Sequence, residues 1–176
     1  MLLGLVGSEM CIRDSVNSSL VNLAPLSELE RVTGNFVIHS NDALRSLSGL
    51  DKLSVVEGEF TILNNTKLTS IEALKRLEAA EVFAIEDSPN LSDLSALSKL
   101  SEVIYLSFHG LESVQSLAGV EHVKYSNLSL SRNHSLSVIS GFNNATENAE
   151  IYIHQNDNLV EICLLYTSPS PRDQEA

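Results

Sequence analysis

The sequence predicts a repeat solenoid: a chain wound in laps that lay down a parallel β-sheet, with short turns or single helical turns between strands. Three observations carry this expectation. An apolar-x-apolar pair recurs about every 23 residues. Apolar residues then follow at every third position, and a polar residue, most often Asn, marks the junction between the two patterns. The stretch GNFVIHSNDALRSLSGLDKLSVVEGEFTILNNTKLTSI, Gly34 to Ile71, shows the whole unit twice.

Taken in order, each unit opens on a short strand with period two, Phe36 and Ile38 inward, Val37 and His39 outward. Alignment on this strand gives six starts, Phe36, Phe60, Phe83, Ile104, Leu128 and Ile151, separated by 24, 23, 21, 24 and 23 residues. Leu26, Leu29 and Val32 read as the back half of an earlier unit. Units of this size cannot bury an apolar face alone, so each is stabilised by its neighbours. Equivalent strands should stack as a parallel sheet at the usual spacing of ~4.8 Å.

The second part of the unit is a ladder such as Leu44, Leu47, Leu50, Leu53, Val56, or Leu111, Val114, Leu117, Val120, Val123. Strict period three suits neither a long α-helix nor a strand; it suits bends or single helical turns that each turn one side chain inward. Burying each Leu contributes about 1.5–3 kcal/mol. Five residues after the strand start sit Asn41, Asn65, Ser88, Asn133 and Asn156, an expected internal ladder satisfying backbone groups that a bend leaves unpaired. One lap reads as a residue short, with Phe108, His109 and Gly110 filling its bend. Gly34 and Gly58 precede strands by two residues, where a sharp bend calls for positive φ.

Both ends read differently. Residues 5–15, LVGSEMCIRDS, and 163–173, CLLYTSPSPRD, match translations of the two strands of one sequencing-adapter oligonucleotide. The expected organisation is therefore an adapter-derived segment 1–15, a single solenoid of about six repeats over 16–162, truncated at both ends, and a second adapter-derived segment 163–176. Both cysteines, Cys11 and Cys163, fall in the excluded ends, so no disulfide framework is argued. Residues 16–162 carry 9 Lys plus Arg against 19 Asp plus Glu, a net charge of −10. That balance disfavours a phosphate-backbone ligand. No stretch in this region approaches the ~18 apolar residues of a membrane span.

The repeat from Gly34 to Leu53, Gly-x-Phe-x-Ile-x-x-Asn-x-x-Leu-x-x-Leu-x-Gly-Leu-x-x-Leu, resembles the receptor L-domain family, which includes insulin- and EGF-receptor-type L domains and fungal cell-wall proteins. Ordinary leucine-rich repeats are the close neighbour, but there Leu usually follows the Asn at +2. Here it follows at +3, as in Asn41/Leu44, Asn65/Leu68, Asn133/Leu136 and Asn156/Leu159. The resemblance implies a right-handed β-helix-like, leucine-rich-repeat-like L domain. Receptor-type L domains carry cap cysteines and residues 16–162 have none, so the fold carries over and a particular receptor role does not.

Little in the sequence points to chemistry. His39, His109, His122, His134 and His154 share no metal-ligand spacing. No Gly-x-Ser-x-Gly elbow, phosphate loop or basic-aromatic patch occurs. Glu57, Glu59, Glu86 and Asp87 sit where solubility alone would put them. No catalytic residue, metal or cofactor is expected. Asn-x-Ser/Thr sequons occur at Asn17, Asn64, Asn90, Asn127, Asn133 and Asn144; Asn133 belongs to the ladder and is expected to point inward, unmodified.

The outward strand columns form the expected contact face. One column reads Val37, Thr61, Ala84, Tyr105, Ser129, Tyr152; its neighbour reads His39, Leu63, Glu86, Ser107, Ser131, His154. Small residues with two tyrosine anchors suit an interface. The leading expectation is a non-enzymatic module of a secreted or cell-surface protein. It would bind a protein, peptide or glycan and no nucleic acid, and would meet a membrane only through an anchor outside this sequence. An intracellular repeat scaffold and a β-helix carbohydrate-active enzyme are the alternatives.

Overall fold

The computed structural model describes residues 11–164. Over these the chain winds a β-solenoid whose strands are β1 (Ile12–Ser15), β2 (Arg31–Val32), β3 (Phe36–His39), β4 (Val55–Leu63), β5 (Ala79–Glu86), β6 (Glu102–His109), β7 (Lys124–Ser131), β8 (Val138–Gly141), β9 (Ala145–His154) and β10 (Glu161–Leu164). The main parallel sheet runs β1-β3-β4-β5-β6-β7-β9, with β2 also on β4; β8 and β10 pair separately. Between strands lie turns, an isolated parallel bridge between Ser46 and Ser70, and three short 3-10 segments, Ala24–Leu26, Glu72–Leu74 and Ser95–Leu97.

Register shows how the laps stack. Ile12, Phe36, Phe60, Phe83, Leu106, Leu128 and Ile151 stand in one file, so seven laps are described, 22 to 24 residues apart. The first of them, β1, lies inside the segment 1–15 and pairs in register with β3. Side chains two residues on, Ile38, Ile62, Ile85, Phe108 and Leu130, form a second inward file and are fully buried.

The fifth lap corrects the sequence alignment. Leu106, not Ile104, stands opposite Phe83 and Leu128. The motifs Ile104-x-Leu106 and Leu106-x-Phe108 alternate equally well, and burial decides between them. The observed register puts Leu106 and Phe108 at 0 % exposure and leaves Ile104 52 % exposed. Phe108 then packs edge-on to Phe83 at 6.4 Å, extending the run Phe36–Phe60 (5.0 Å, stacked) and Phe60–Phe83 (5.5 Å, edge-on).

The period-three ladder has a direct cause. In the second lap the N–H of Leu44 donates to Asn41 O, Leu50 to Leu47 O, and Leu53 to Leu50 O; the same three-residue closures recur at Leu68, Leu74 and Leu77. Each closure returns the chain by one short turn and aims one side chain at the axis. Leu44, Leu47, Leu50, Leu53, Leu68, Leu74 and Leu77 are all fully buried.

Asparagines join the laps where the strand ends. Asn41 and Asn65 are fully buried, Asn133 is 1 % exposed and Asn156 is half-buried. Each side chain reaches back one lap. Its Oδ1 accepts the backbone N–H of the preceding ladder residue: Asn41 N–H to Asn65 (3.1 Å), Leu111 N–H to Asn133 (3.0 Å), Asn133 N–H to Asn156 (2.9 Å). In three of them Nδ2 donates to a strand carbonyl of that lap, Asn65 to Ile38 O, Asn133 to Phe108 O and Asn156 to Leu130 O, each at 2.9 Å, whereas Asn41 Nδ2 donates to the Asp14 carboxylate at 3.1 Å. Asn17 occupies the same position in the first lap and donates its N–H to Asn41 Oδ1. The ladder breaks in two consecutive laps, where Ser88 bonds only within its own lap (Oγ to Glu86 O) and Leu111 takes the ladder position. Leu111 thus belongs to this file and not to the period-three ladder.

One residue before each ladder position the backbone turns left-handed. Val16, Ser40, Asn64, Asp87, Gly110, Arg132 and Gln155 all have φ between 46° and 65°. Six of the seven are not glycine, so the turn is imposed by lap closure against local preference. Gly34 and Gly58, by contrast, are not among the positive-φ glycines. Gly58 is needed for space, because a Cβ there would lie 2.4 Å from Asn35 Oδ1.

Asn65→Ala should lower stability by about 3 kcal/mol, since it strips partners from buried backbone groups of the neighbouring lap. Denaturant unfolding should show this as a lower midpoint at unchanged slope, with Asn17→Ala, exposed at the solenoid's first lap, costing far less. Val16→Gly should raise stability by about 1 kcal/mol by removing a β-branched residue from a left-handed turn, read in the same assay.

Candidate functional site

The main sheet turns its inward files to the core and presents three outward columns. The central one reads Arg13, Val37, Thr61, Ala84, Ser107, Ser129, Tyr152. On one side stands Ser15, His39, Leu63, Glu86, His109, Ser131, His154, and on the other Glu59, Val82, Tyr105, Asn127, Glu150. The corrected fifth lap moves Ser107 into the central column and His109 into its neighbour. Tyr105 stands between Val82 and Asn127, one column away from Tyr152, because the register there differs by two residues from the sequence alignment.

This arrangement makes a trough over laps three to five. Its floor is built of small side chains: Thr61, Ala84 and Ser107 are buried although they face outward, overhung by the taller columns on either side. Beside it, over the first three laps, lies a cavity of about 750 Å3, bordered by Asn35, Val37, His39, Glu59, Thr61 and Leu63 and, from the first lap inside segment 1–15, by Cys11, Arg13 and Ser15. Tyr152 closes the far end at 56 % exposure, its hydroxyl donating to Glu150 Oε2 at 2.9 Å, while Asn127 Nδ2 reaches the same oxygen at 3.3 Å. That bond to the carboxylate, with the Glu150 charge beside it, raises the Tyr152 pKa above the ordinary tyrosine value. Thr61 donates to Glu59 Oε1 at 2.6 Å. Glu86 and His154 stand in the same flanking column, three laps apart.

One grouping escaped the sequence. His109 Nδ1 lies 2.6 Å from Ser131 Oγ, and His109 Nε2 lies 3.9 Å from Asp87 Oδ1. The three residues come from three successive laps, so only the register of the fifth lap could have brought them together on paper. Nucleophilic catalysis also needs backbone donors for a developing oxyanion. The nearby N–H groups of Gly110, Leu111 and Arg132 are committed to Ser131 O, Asn133 Oδ1 and His154 O. Among the carboxylates weighed from the sequence, Glu57 pairs with Arg31 at 2.7 Å, and Glu59, Glu86 and Asp87 occupy different columns. Among the described residues no three His, Cys, Asp or Glu gather as a metal site.

The sequons divide by place. Asn64, Asn90 and Asn144 are exposed on turns, with their Nδ2 atoms bonded to Ser40 Oγ, Thr66 O and His122 O. Asn17 is exposed at the first lap. Asn127 is half-buried in β7 on the outward face, and Asn133 is enclosed in the ladder.

Comparison with family models, with curated proteins and with solved structures returns no match to this chain.

Glu150→Gln should bring Tyr152 ionisation back toward the ordinary tyrosine value, seen as an earlier rise of tyrosinate absorbance on titration with base. The sign for stability follows: the raised value favours neutral Tyr152 in the folded chain. Its contribution is present below the ordinary tyrosine pKa and is lost as pH rises through the raised one.

Proposed function

We propose that the chain is a non-enzymatic binding module of a secreted or cell-surface protein, similar in kind to receptor L domains, and that it takes its ligand along the outward trough. The observation that carries this reading is the recessed floor of Thr61, Ala84 and Ser107 between taller columns that include Tyr105, Glu86 and the histidines. A flat exposed sheet needs no such depth, whereas an extended peptide or glycan strand lying across laps three to seven, where both flanking columns are present, would be gripped along roughly 20 Å at ~4.8 Å per strand. Aromatic residues at the side and end, Tyr105 and Tyr152, supply anchors of the kind that dominate interfaces. Exposed sequons on the turns, Asn64, Asn90 and Asn144, agree with passage through a glycosylating compartment and leave the trough clear.

Two measurements test this. Chain secreted from eukaryotic cells should lose mass on enzymatic deglycosylation, and replacing Asn17, Asn64, Asn90, Asn127 and Asn144 by Gln should abolish that loss; an unchanged mass would remove the support for an exported protein. Ser107→Arg, which fills the floor, should abolish binding on peptide and glycan arrays while the chain still unfolds in one cooperative transition, at a lowered midpoint because Ser107 is 3 % exposed. A Lys99→Glu control on another face should bind as the parent does. Equal binding by both variants would refute the trough.

A further inference from the structure

The fifth lap departs from the others twice. Gly110 is the single glycine among seven left-handed turn residues, and Leu111 stands where other laps carry a polar ladder residue. With no side chain at Gly110 the turn edge is notched, and a cavity of about 450 Å3 opens there. A Cβ at Gly110 would lie 2.6 Å from Asp87 Oδ1, so the glycine is what keeps the notch open.

The walls carry opposite charge. Asp87, one lap before Gly110, and Glu112 are acidic; Arg132, one lap after, supplies the positive charge, with His134 beside it. Asp87 and Arg132 stand two strand spacings apart, roughly 10 Å between backbones. Among the described residues neither is paired with the other: Arg132 gives its Nε to Gln155 Oε1, and Asp87 has only His109 Nε2 at 3.9 Å. His134 Nδ1 is closed off from water without a hydrogen bond, Asp157 Oδ2 lying 2.9 Å away but off the bonding direction. A cation and an anion held apart across an open notch lack the compensation that each would gain from an opposite charge between them.

We infer that this notch is a binding site for a small zwitterion, a molecule bearing an ammonium and a carboxylate such as a free amino acid. The carboxylate lies against the Arg132 guanidinium and the ammonium against the Asp87 carboxylate, with Glu112 beside it. The site is separate from the trough and does not depend on the reading above.

The test is a titration of the ¹⁵N-labelled full chain, followed by amide shifts, with glycine and with 4-aminobutyrate as probes. Acetate, methylammonium and glucose serve as controls. One or both zwitterions should shift the Gly110 and Leu111 amides saturably. Acetate and methylammonium should bind about tenfold or more weakly, the loss of one charge-assisted hydrogen bond. Asp87→Asn and Arg132→Asn should each weaken zwitterion binding by a similar factor. Both positions are left-handed, a conformation asparagine tolerates, so the variants keep the turn. Absence of saturable shifts with both zwitterions overturns the proposal. So does equal binding by the single-charge controls, preferential binding of glucose, or undiminished binding in the two variants.

Discussion

A solenoid lap must return to its starting line within 22 to 24 residues and in register, and the sharpest cost of that closure falls at the corner where the strand ends. There the backbone turns left-handed in every lap, so the chain cannot continue the regular sheet ladder through the next residue. The asparagine that follows replaces it. One amide accepts the N–H and feeds the carbonyl of the lap before, so the side chain acts as a stretch of backbone at the place where backbone runs out. Because each Asn serves its predecessor, the interaction has direction and ties the laps into one cooperative stack.

The break at Ser88 and Leu111 shows what the ladder does by showing what stands in for it. Ser88 and Leu111 send no amide back, so the corners at Asn65 and Ser88 lack the cross-lap tether that Asn133 still gives Leu111, while the core there carries the edge-on pairs Phe60–Phe83 and Phe83–Phe108. Aromatic area replaces polar tethering inside. Outside, the same irregularity exposes a glycine turn and separates two opposite charges. Asp87, Gly110 and Arg132 come from three laps whose local sequences differ, and their juxtaposition exists only because the stack holds those laps at strand spacing.

The outward face follows another logic. In a parallel sheet with one strand per lap, a column of equivalent positions runs the length of the molecule, so small residues at one position in successive laps lower the surface over those laps. Thr61, Ala84 and Ser107 are shielded by their neighbours and not by the core. The acidic composition is spread over turns and flanking columns, with ion pairs linking laps at Arg31–Glu57, Lys52–Glu28 and Lys124–Glu102. All three are largely exposed pairs, worth little each; their effect is on surface character more than on stability.

The sequence by itself determined the lap length, the inward strand file from Phe36 through Ile151, the three-residue rhythm of Leu44 to Leu53, and the asparagine corners. Each of these is a periodic signal that survives one local error. It also carried the sequons and the rough composition of the outer columns. Only the tertiary structure decided the fifth lap. There two apolar pairs offset by two residues alternate equally well, and burial of Phe108 against Phe83 chose between them. That choice moved Ser107, His109 and Tyr105 to their columns, put Leu111 in the asparagine file, and opened the notch at Gly110. A period of two cannot tell a strand from the same strand slipped by two residues. The side chains of the laps above and below can, because only one register fills the space between them.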